Sequence, residues 1–228
     1  MKIKWVNGFM YFELDLNRYR EMIIAVMGEM SHLFLKDNSW IVAETIRKHD
    51  DIPIGFLFDE INKEAGRIGV DFRLNSKTYN TGLFQDKVLT KMFEYAICMF
   101  EDRFKMSSNH DYDLTYCDAK IDCKVKSRNV FPKPDYDVTI PSTCVERGKY
   151  CDYFLFGTYN RNDIYMNTIS YYVLGVIEYD EFVNKSVFRQ KGSPLVGTGK
   201  ICKMDEYVIN IGSLHSIGTF MAGKRIIK

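Results

Sequence analysis

Two aspartates and a lysine with the types and spacing of a metal-dependent site stand in the middle of the chain. Asp113 precedes a short alternating segment, and Asp122 is followed two positions later by Lys124. Carboxylates bind hard divalent cations such as Mg²⁺, which keeps several waters and takes few protein ligands. A lysine beside such a cation can orient an attacking water or balance charge on a phosphoryl oxygen. These residues predict hydrolysis of a phosphodiester with Mg²⁺ or Mn²⁺ as cofactor.

The relative position of the two acids depends on how this segment pairs. Residues 119–126 alternate between small or apolar and charged side chains, which predicts a strand with one polar face. That face carries Lys120, Asp122, Lys124 and Lys126. A two-residue turn at positions 117–118 would place Asp113 directly opposite Asp122, whereas a register shift of one residue would separate them. Two such charges repel by about 4 kcal/mol at about 4 Å, and a bound cation would relieve that repulsion.

Acid-x-lysine is a short pattern, and simpler interpretations of it stay open. A second copy at residues 118–120 lies at the presumed turn without an apolar strand before it, so it is the poorer candidate. Asp122 and Lys124 could instead form an exposed salt bridge on a strand face. Asp111 could be the acid of the site in place of Asp113.

The elements expected around this hairpin are those of an α/β fold. A helix capped at residue 80 or 81 should run to about residue 104, with a buried stripe of Phe84, Val88, Met92, Ala96 and Phe100. Strands are expected at residues 112–116, 119–126, 151–156, 170–178 and 207–211, with a helix at 180–190. A helix, a hairpin and then mixed elements predict a central mixed β-sheet flanked by helices.

The first part of the chain has a different pattern. It should hold a short strand near residues 2–14 and three helices near 16–35, 39–49 and 56–67. We therefore predict a mostly helical N-terminal extension over residues 1–79 and a core over residues 80–228.

This order of helix, acid, acid-x-lysine and apolar strands resembles the PD-(D/E)xK, or restriction-endonuclease-like, nuclease superfamily, especially small nucleases of bacteriophages and mobile elements. The resemblance extends from about residue 82 to the C terminus. It implies a restriction-endonuclease-like core in which Asp113 and Asp122 bind metal, with the backbone carbonyl of Cys123 as a further ligand. It also implies that Lys124 serves the nucleophilic water.

One position departs from that family pattern. Many members carry a glutamate early in the preceding helix, where this chain has Gln85, so we count Gln85 among the catalytic candidates. Glu29, on an earlier helix, is a less favoured substitute. This difference from the family pattern keeps a second function open. In that case the protein would be a catalytically degenerate nuclease-fold protein that binds nucleic acid or a protein partner without cleaving it.

Basic residues around the hairpin favour a nucleic-acid partner. The candidates for phosphate contacts are Lys120, Lys126, Arg128 and Lys133, with Phe131 and Tyr136 nearby. DNA is the expected substrate of an endonuclease, and RNA is the alternative. The overall net charge of +1 does not decide between partners, because the distribution of charge matters more than its sum.

Composition supports a globular protein away from membranes. Hydrophobic residues make up 46% of the chain, yet no apolar run approaches the roughly 20 residues of a membrane-spanning helix. The six cysteines include no C-x-x-C pair, so we expect reduced, packed thiols. The N terminus does not have the pattern of a signal peptide. We expect a cytoplasmic protein of a bacterium or phage-infected host cell, and a homodimer is compatible with the sequence.

Overall fold

The computed structural model describes residues 1–69, 84–109, 111–195 and 200–225. Its helices are α1 (Arg20–Leu35), α2 (Trp40–Lys48), α3 (Ile54–Arg67), α4 (Phe84–Phe100), α5 (Ser142–Glu146), α6 (Tyr179–Lys185) and α7 (Ile217–Arg225). Its strands are β1 (Lys2–Val6), β2 (Phe9–Asp15), β3 (Phe104–Met106), β4 (Leu114–Tyr116), β5 (Ala119–Ser127), β6 (Asp137–Pro141), β7 (Tyr153–Tyr159), β8 (Thr168–Glu178), β9 (Val187–Arg189), β10 (Pro194–Leu195), β11 (Lys200–Ile201) and β12 (Glu206–Asn210). None of the helices in these ranges has the length and apolar character needed to cross a membrane.

Seven strands form one curled central sheet in the order β1-β2-β8-β7-β5-β4-β3. Its neighbours are antiparallel except β5 and β7, which run parallel, so the sheet is mixed. A separate three-stranded sheet has the order β6-β12-β9 and is called the small sheet below. The predicted α/β class, with a mixed central sheet flanked by helices, is confirmed.

The main hydrophobic core lies between the helices and one face of the central sheet. In α4, four residues of the predicted stripe are buried, namely Phe84, Val88, Met92 and Ala96, while Phe100 is only partly buried. Phe93 of the same helix packs against β7 at Gly157, where an added Cβ would lie 2.5 Å from the phenylalanine ring. This close approach holds α4 directly over the strand that neighbours β5.

The N-terminal residues complete this sheet. Where one short strand was predicted, the structure has a hairpin, because Asn7 and Gly8 adopt φ angles of 49° and 85°. An Asn-Gly pair in the left-handed region is the preferred two-residue turn between antiparallel strands. Strand β2 pairs with β8, and α1 packs on α4 in the same core. The boundary predicted between residues 79 and 80 lies outside the described residues.

The C-terminal half contains several elements that the sequence did not indicate and one that it indicated wrongly. The helix expected at residues 180–190 ends at Lys185, and residues 187–189 form β9, because they pair with β12. Strand β6, on the other side of β12, and the helices α5 and α7 were not predicted. The small sheet joins segments far apart in the chain, so local patterns do not reveal it.

Candidate active site

The hairpin of β4 and β5 pairs as predicted. Cys117 and Asp118 have φ angles of 46° and 68°, the left-handed values of a type I′ turn. The strands on either side pair in the predicted register. The Asp113 N–H extends the ladder by donating to the Ile121 carbonyl at 3.0 Å. Asp113 thus lies beside the Leu114–Ile121 pair, and its side chain reaches the N–H of Cys123, the residue after Asp122.

The carboxyl group of Asp113 is crowded by that of Asp122. Burial, and next the charge of Asp122, raise the pKa of Asp113 to about 6. A hydrogen bond from the Cys123 N–H to Asp113 Oδ2, at 2.7 Å, lowers this pKa. Its effect is smaller than the combined effect of burial and the Asp122 charge, so the pKa stays raised. The hairpin therefore holds the two carboxyl groups close enough for the charge of one to act on the pKa of the other.

Asp122 is only 6% exposed, and its Oδ2 atom has two partners. Lys124 Nζ lies 2.7 Å from this oxygen, and the Tyr150 hydroxyl donates a hydrogen bond to it. Burial is the largest single influence and lowers the pKa of Lys124, but the neighbouring negative groups, Asp122 first among them, together leave that pKa raised. The side chains of the ion pair are 23% and 8% exposed, so it is not the exposed salt bridge that the sequence left open.

Cys123 contributes its main chain to the site. Its side chain is buried in the main core, on the face of β5 opposite Asp122. Its N–H points to Asp113. Because the N–H and C=O of one strand residue point to the same side, the Cys123 carbonyl also faces the acids. This orientation fits the predicted role of that carbonyl as a metal ligand.

A third acid, Glu94 on α4, belongs to the same cluster and was missed from the sequence. Glu94 is 3% exposed, and Lys91 Nζ lies 2.9 Å from its Oε2. Burial, and next the charge of Asp113, raise the pKa of Glu94 to about 8. Lys87, Lys91 and Glu94 follow one another at helical spacing, which makes one polar stripe on a largely apolar helix. That stripe is the signal that could have identified Glu94.

The structure places Gln85, the α4 residue indicated by the family pattern, in a buried position. It is 7% exposed, and its Nε2 has no hydrogen-bond partner among the described residues. Nine positions separate Gln85 from Glu94, which corresponds to about 180° around an α-helix, so the two face opposite sides. Glu94 is thus the acid that α4 brings near the acids of the hairpin.

Two of the predicted phosphate-binding residues make hydrogen bonds within the protein, although Lys126 is also exposed. Lys126 donates a hydrogen bond to Thr139 Oγ1, and Arg128 donates one to the Asp137 carbonyl. Both acceptors belong to β6. These contacts tie the C-terminal end of β5 to the small sheet.

The other two predicted phosphate-binding residues are exposed. Lys120 Nζ lies 5.6 Å from the centre of the Tyr112 ring, and Lys133 Nζ lies 5.8 Å from that of Tyr136. Lys87 on α4 adds a further cation near the acids, and burial, followed by the charge of Lys124, lowers the pKa of Lys87 to about 8. Positive charge therefore surrounds the acidic cluster on the hairpin and on α4.

The alternative acids lie outside the cluster. Asp111 is 61% exposed, and its Oδ1 lies 3.9 Å from Arg147 Nη1. Asp118 is exposed at the turn of the hairpin. His110, beside the site in sequence, is outside the described residues. Asp113 is therefore the acid that the hairpin brings to Asp122.

The donors of the cluster suit a cation that takes few protein ligands. Two crowded carboxyl groups and one carbonyl converge, and Mg²⁺ uses one or two carboxylates together with waters and substrate phosphates. In the part of the chain that the structure describes, no three His, Cys, Asp or Glu side chains are arranged closely enough to hold a metal ion. Glu94 is therefore not counted among the ligands.

Comparison with known proteins adds no relative: the sequence matches no protein-family model, and no curated protein or solved structure shows a significant match. The function is inferred from the residues of the site.

Proposed function

We propose that the protein is a metal-dependent nuclease that hydrolyses phosphodiester bonds in DNA as an endonuclease, with a restriction-endonuclease-like core. The observation that carries this proposal is the pair of neighbouring, electrostatically interacting carboxyl groups of Asp113 and Asp122, with Lys124 Nζ 2.7 Å from Asp122 Oδ2. The cofactor is Mg²⁺ or Mn²⁺, RNA is the alternative substrate, and the protein acts in the cytoplasm.

The electrostatics of the acids support a cation at this place. The pKa values of Asp113 and Glu94 are both raised, to about 6 and about 8, so the site disfavours negative charge when no cation is bound. Asp113, Asp122 and the Cys123 carbonyl would hold the ion. When bound, such a cation polarises a phosphoryl oxygen and lowers the pKa of an attacking water.

Lys124 has the properties of the residue that serves the water. Its pKa is raised, so it carries its positive charge at neutral pH. Its side chain is 23% exposed, which leaves the ammonium group partly accessible beside Asp122. From there it can donate a hydrogen bond to the nucleophilic water or to an oxygen of the scissile phosphate.

The protonation state of Glu94 is coupled to cation binding at the site. With a pKa of about 8, it carries a proton at neutral pH. A cation bound between the neighbouring acids favours the ionised form of Glu94, so binding of the ion should release protons. The acidity of Glu94 and the affinity for the cation are therefore coupled.

The exposed cations give the substrate its contacts. Lys120 and Lys133 can bind phosphates on either side of the scissile bond, and Lys87 lies closer to the acids. Lys126 and Arg128 support the small sheet instead.

Cleavage of a supercoiled plasmid with MgCl₂ or MnCl₂, against the same reaction with EDTA, tests the proposal. Duplex, single-stranded and branched DNA, and RNA, define the substrate class. Asp122→Asn should abolish cleavage, whereas the matched control Asp111→Asn, which changes an exposed aspartate nearby, should retain it. Cleavage that survives in EDTA or in Asp122→Asn would refute the proposed site.

A second candidate function, binding of nucleic acid without cleavage, is favoured by one observation. Asp122 Oδ2 is already occupied by Lys124 and Tyr150, which leaves one oxygen of that carboxylate for a cation. This alternative predicts DNA binding that EDTA does not change, with no cleavage in Mg²⁺ or Mn²⁺.

A further inference from the structure

Tyr150 lies outside the hairpin, yet its hydroxyl group reaches the site. It precedes β7, the parallel neighbour of β5, and donates a hydrogen bond to Asp122 Oδ2. Lys124 Nζ lies 2.7 Å from the same oxygen. With two donors at Oδ2, the remaining atom Oδ1 is the one left for a ligand. The contact therefore sets which oxygen of Asp122 is available.

The ring of Tyr150 is held on several sides. The guanidinium carbon of Arg147 lies 3.5 Å from its centre, which is a close cation–π contact. Phe154 and Tyr179 pack against it edge to face, with ring centres 6.2 Å and 6.1 Å away. These contacts restrict rotation of the ring and so fix the direction of the hydroxyl group.

Arg147, which packs on the Tyr150 ring, also contacts the segment that leads to Asp113. Its Nη1 lies 3.9 Å from Asp111 Oδ1, and its Nη2 donates to the Asp111 carbonyl at 3.5 Å. Asp111 stands two positions before Asp113. Arg147 and Tyr150 thus connect the segment that carries Asp113 with Asp122, although neither is part of the hairpin.

We infer that Tyr150 is a positioning residue for the cation site: it orients the Asp122 carboxylate so that Oδ1 faces the site shared with Asp113. This inference rests on the proposed function only in requiring that these acids bind a divalent cation. Groups that hydrogen-bond a metal ligand commonly change metal affinity about 10- to 100-fold when they are removed. Without the hydroxyl, Asp122 keeps Lys124 but loses its second restraint.

Tyr150→Phe, with Tyr179→Phe as the matched control, tests the inference in the full-length protein. Tyr179 packs against Tyr150 and donates its hydroxyl to the Val145 carbonyl at 2.9 Å, so the control removes one hydrogen bond in the same layer. Mn²⁺ binding is measured by titration calorimetry without substrate. We expect the dissociation constant to rise about tenfold in Tyr150→Phe and by less than twofold in Tyr179→Phe. Where cleavage occurs, the Mg²⁺ requirement should rise while the substrate KM stays unchanged.

Arg147→Gln is the second variant, because this exposed residue can change without loss of folding. We expect it to weaken Mn²⁺ binding about threefold. If Tyr150→Phe does not fold, this threefold weakening supports the inference and unchanged binding by Arg147→Gln contradicts it. Unchanged or tighter Mn²⁺ binding by Tyr150→Phe overturns the inference. Equal weakening of Mn²⁺ binding in Tyr150→Phe and Tyr179→Phe also overturns it, and so does a wild-type protein that binds no Mn²⁺. A wild type that binds Mn²⁺ but cleaves nothing refutes the nuclease alone, and weaker binding by Tyr150→Phe then still supports the role of Tyr150.

Discussion

Glu94 on α4 lies close enough to Asp113 on the hairpin for the Asp113 charge to raise the pKa of Glu94, in addition to the larger effect of burial. Helix α4 contributes Glu94 to the acidic cluster, and the β4–β5 hairpin contributes Asp113 and Asp122. Asp122 adds its charge to both acids. The protonation of this cluster therefore links pH, stability and cation binding.

In EDTA, the free energy of unfolding should fall as the pH rises from about 5 to about 8. The folded-state pKa values of Asp113 and Glu94, about 6 and about 8, exceed the ordinary values of these side chains, 3.8 and 4.5. In this range the folded state holds protons that the unfolded chain has already lost, so raising the pH favours unfolding. We expect a loss on the order of 5 kcal/mol, because Asp113 titrates over about one pH unit of this range and Glu94 over about three, and one unit corresponds to about 1.4 kcal/mol.

Urea unfolding at several pH values measures this loss. Glu94→Gln should flatten the profile between about pH 6 and 8, and saturating Mg²⁺ should stabilise the wild type more at pH 8 than at pH 6. The window stops at about pH 8, where the lowered pKa of Lys87, also about 8, begins to act in the opposite direction. Stability that rises with pH in EDTA would contradict the crowded-acid site.

Glu94→Gln should also lower cleavage about tenfold, whereas Gln85→Met should leave it within twofold. The reason is that Glu94 faces the hairpin acids and Gln85 faces the opposite side of α4. Initial rates at saturating substrate and at several Mg²⁺ concentrations provide the comparison. The reverse ranking would restore Gln85 as the site residue of this helix.

Lys124→Met should reduce kcat about 100-fold while Mn²⁺ still binds, because the proton transfer or charge balance at the water is lost but the acids remain. Lys120→Met is the control, since Lys120 lies on the same face of β5 within the second acid-x-lysine copy. It should leave kcat nearly unchanged. Equal losses in the two variants would show that Lys124 acts only through general electrostatic attraction.

Lys120→Gln and Lys133→Gln should weaken DNA binding and each reduce the slope of log affinity against log salt by about 0.9, because each loses one phosphate contact. Neither should change the melting temperature. Lys126→Met should lower the melting temperature instead, because Lys126 donates to Thr139 of the small sheet. If only Lys126→Met changed the slope of log affinity against log salt, Lys126 would be the phosphate-binding residue and the expectation for Lys120 and Lys133 would be wrong.

The sequence by itself was sufficient for the parts of the site that depend on near neighbours. Strict alternation and a two-residue turn determined which face of β5 carries Asp122 and how it stands against Asp113. Both are set by the period of the strand and by the left-handed turn at Cys117 and Asp118. The buried stripe of α4 followed in the same way from helical periodicity.

Tertiary structure decided which distant groups join that hairpin. The rotation of α4 about its axis, determined by packing such as Phe93 against Gly157, turned Glu94 toward the acids and Gln85 away. Formation of the small sheet engaged Lys126, and the path of the chain before β7 brought Tyr150 to Asp122. These contacts depend on burial and pairing between segments far apart in the chain, and side-chain periodicity within one segment carries no information about them.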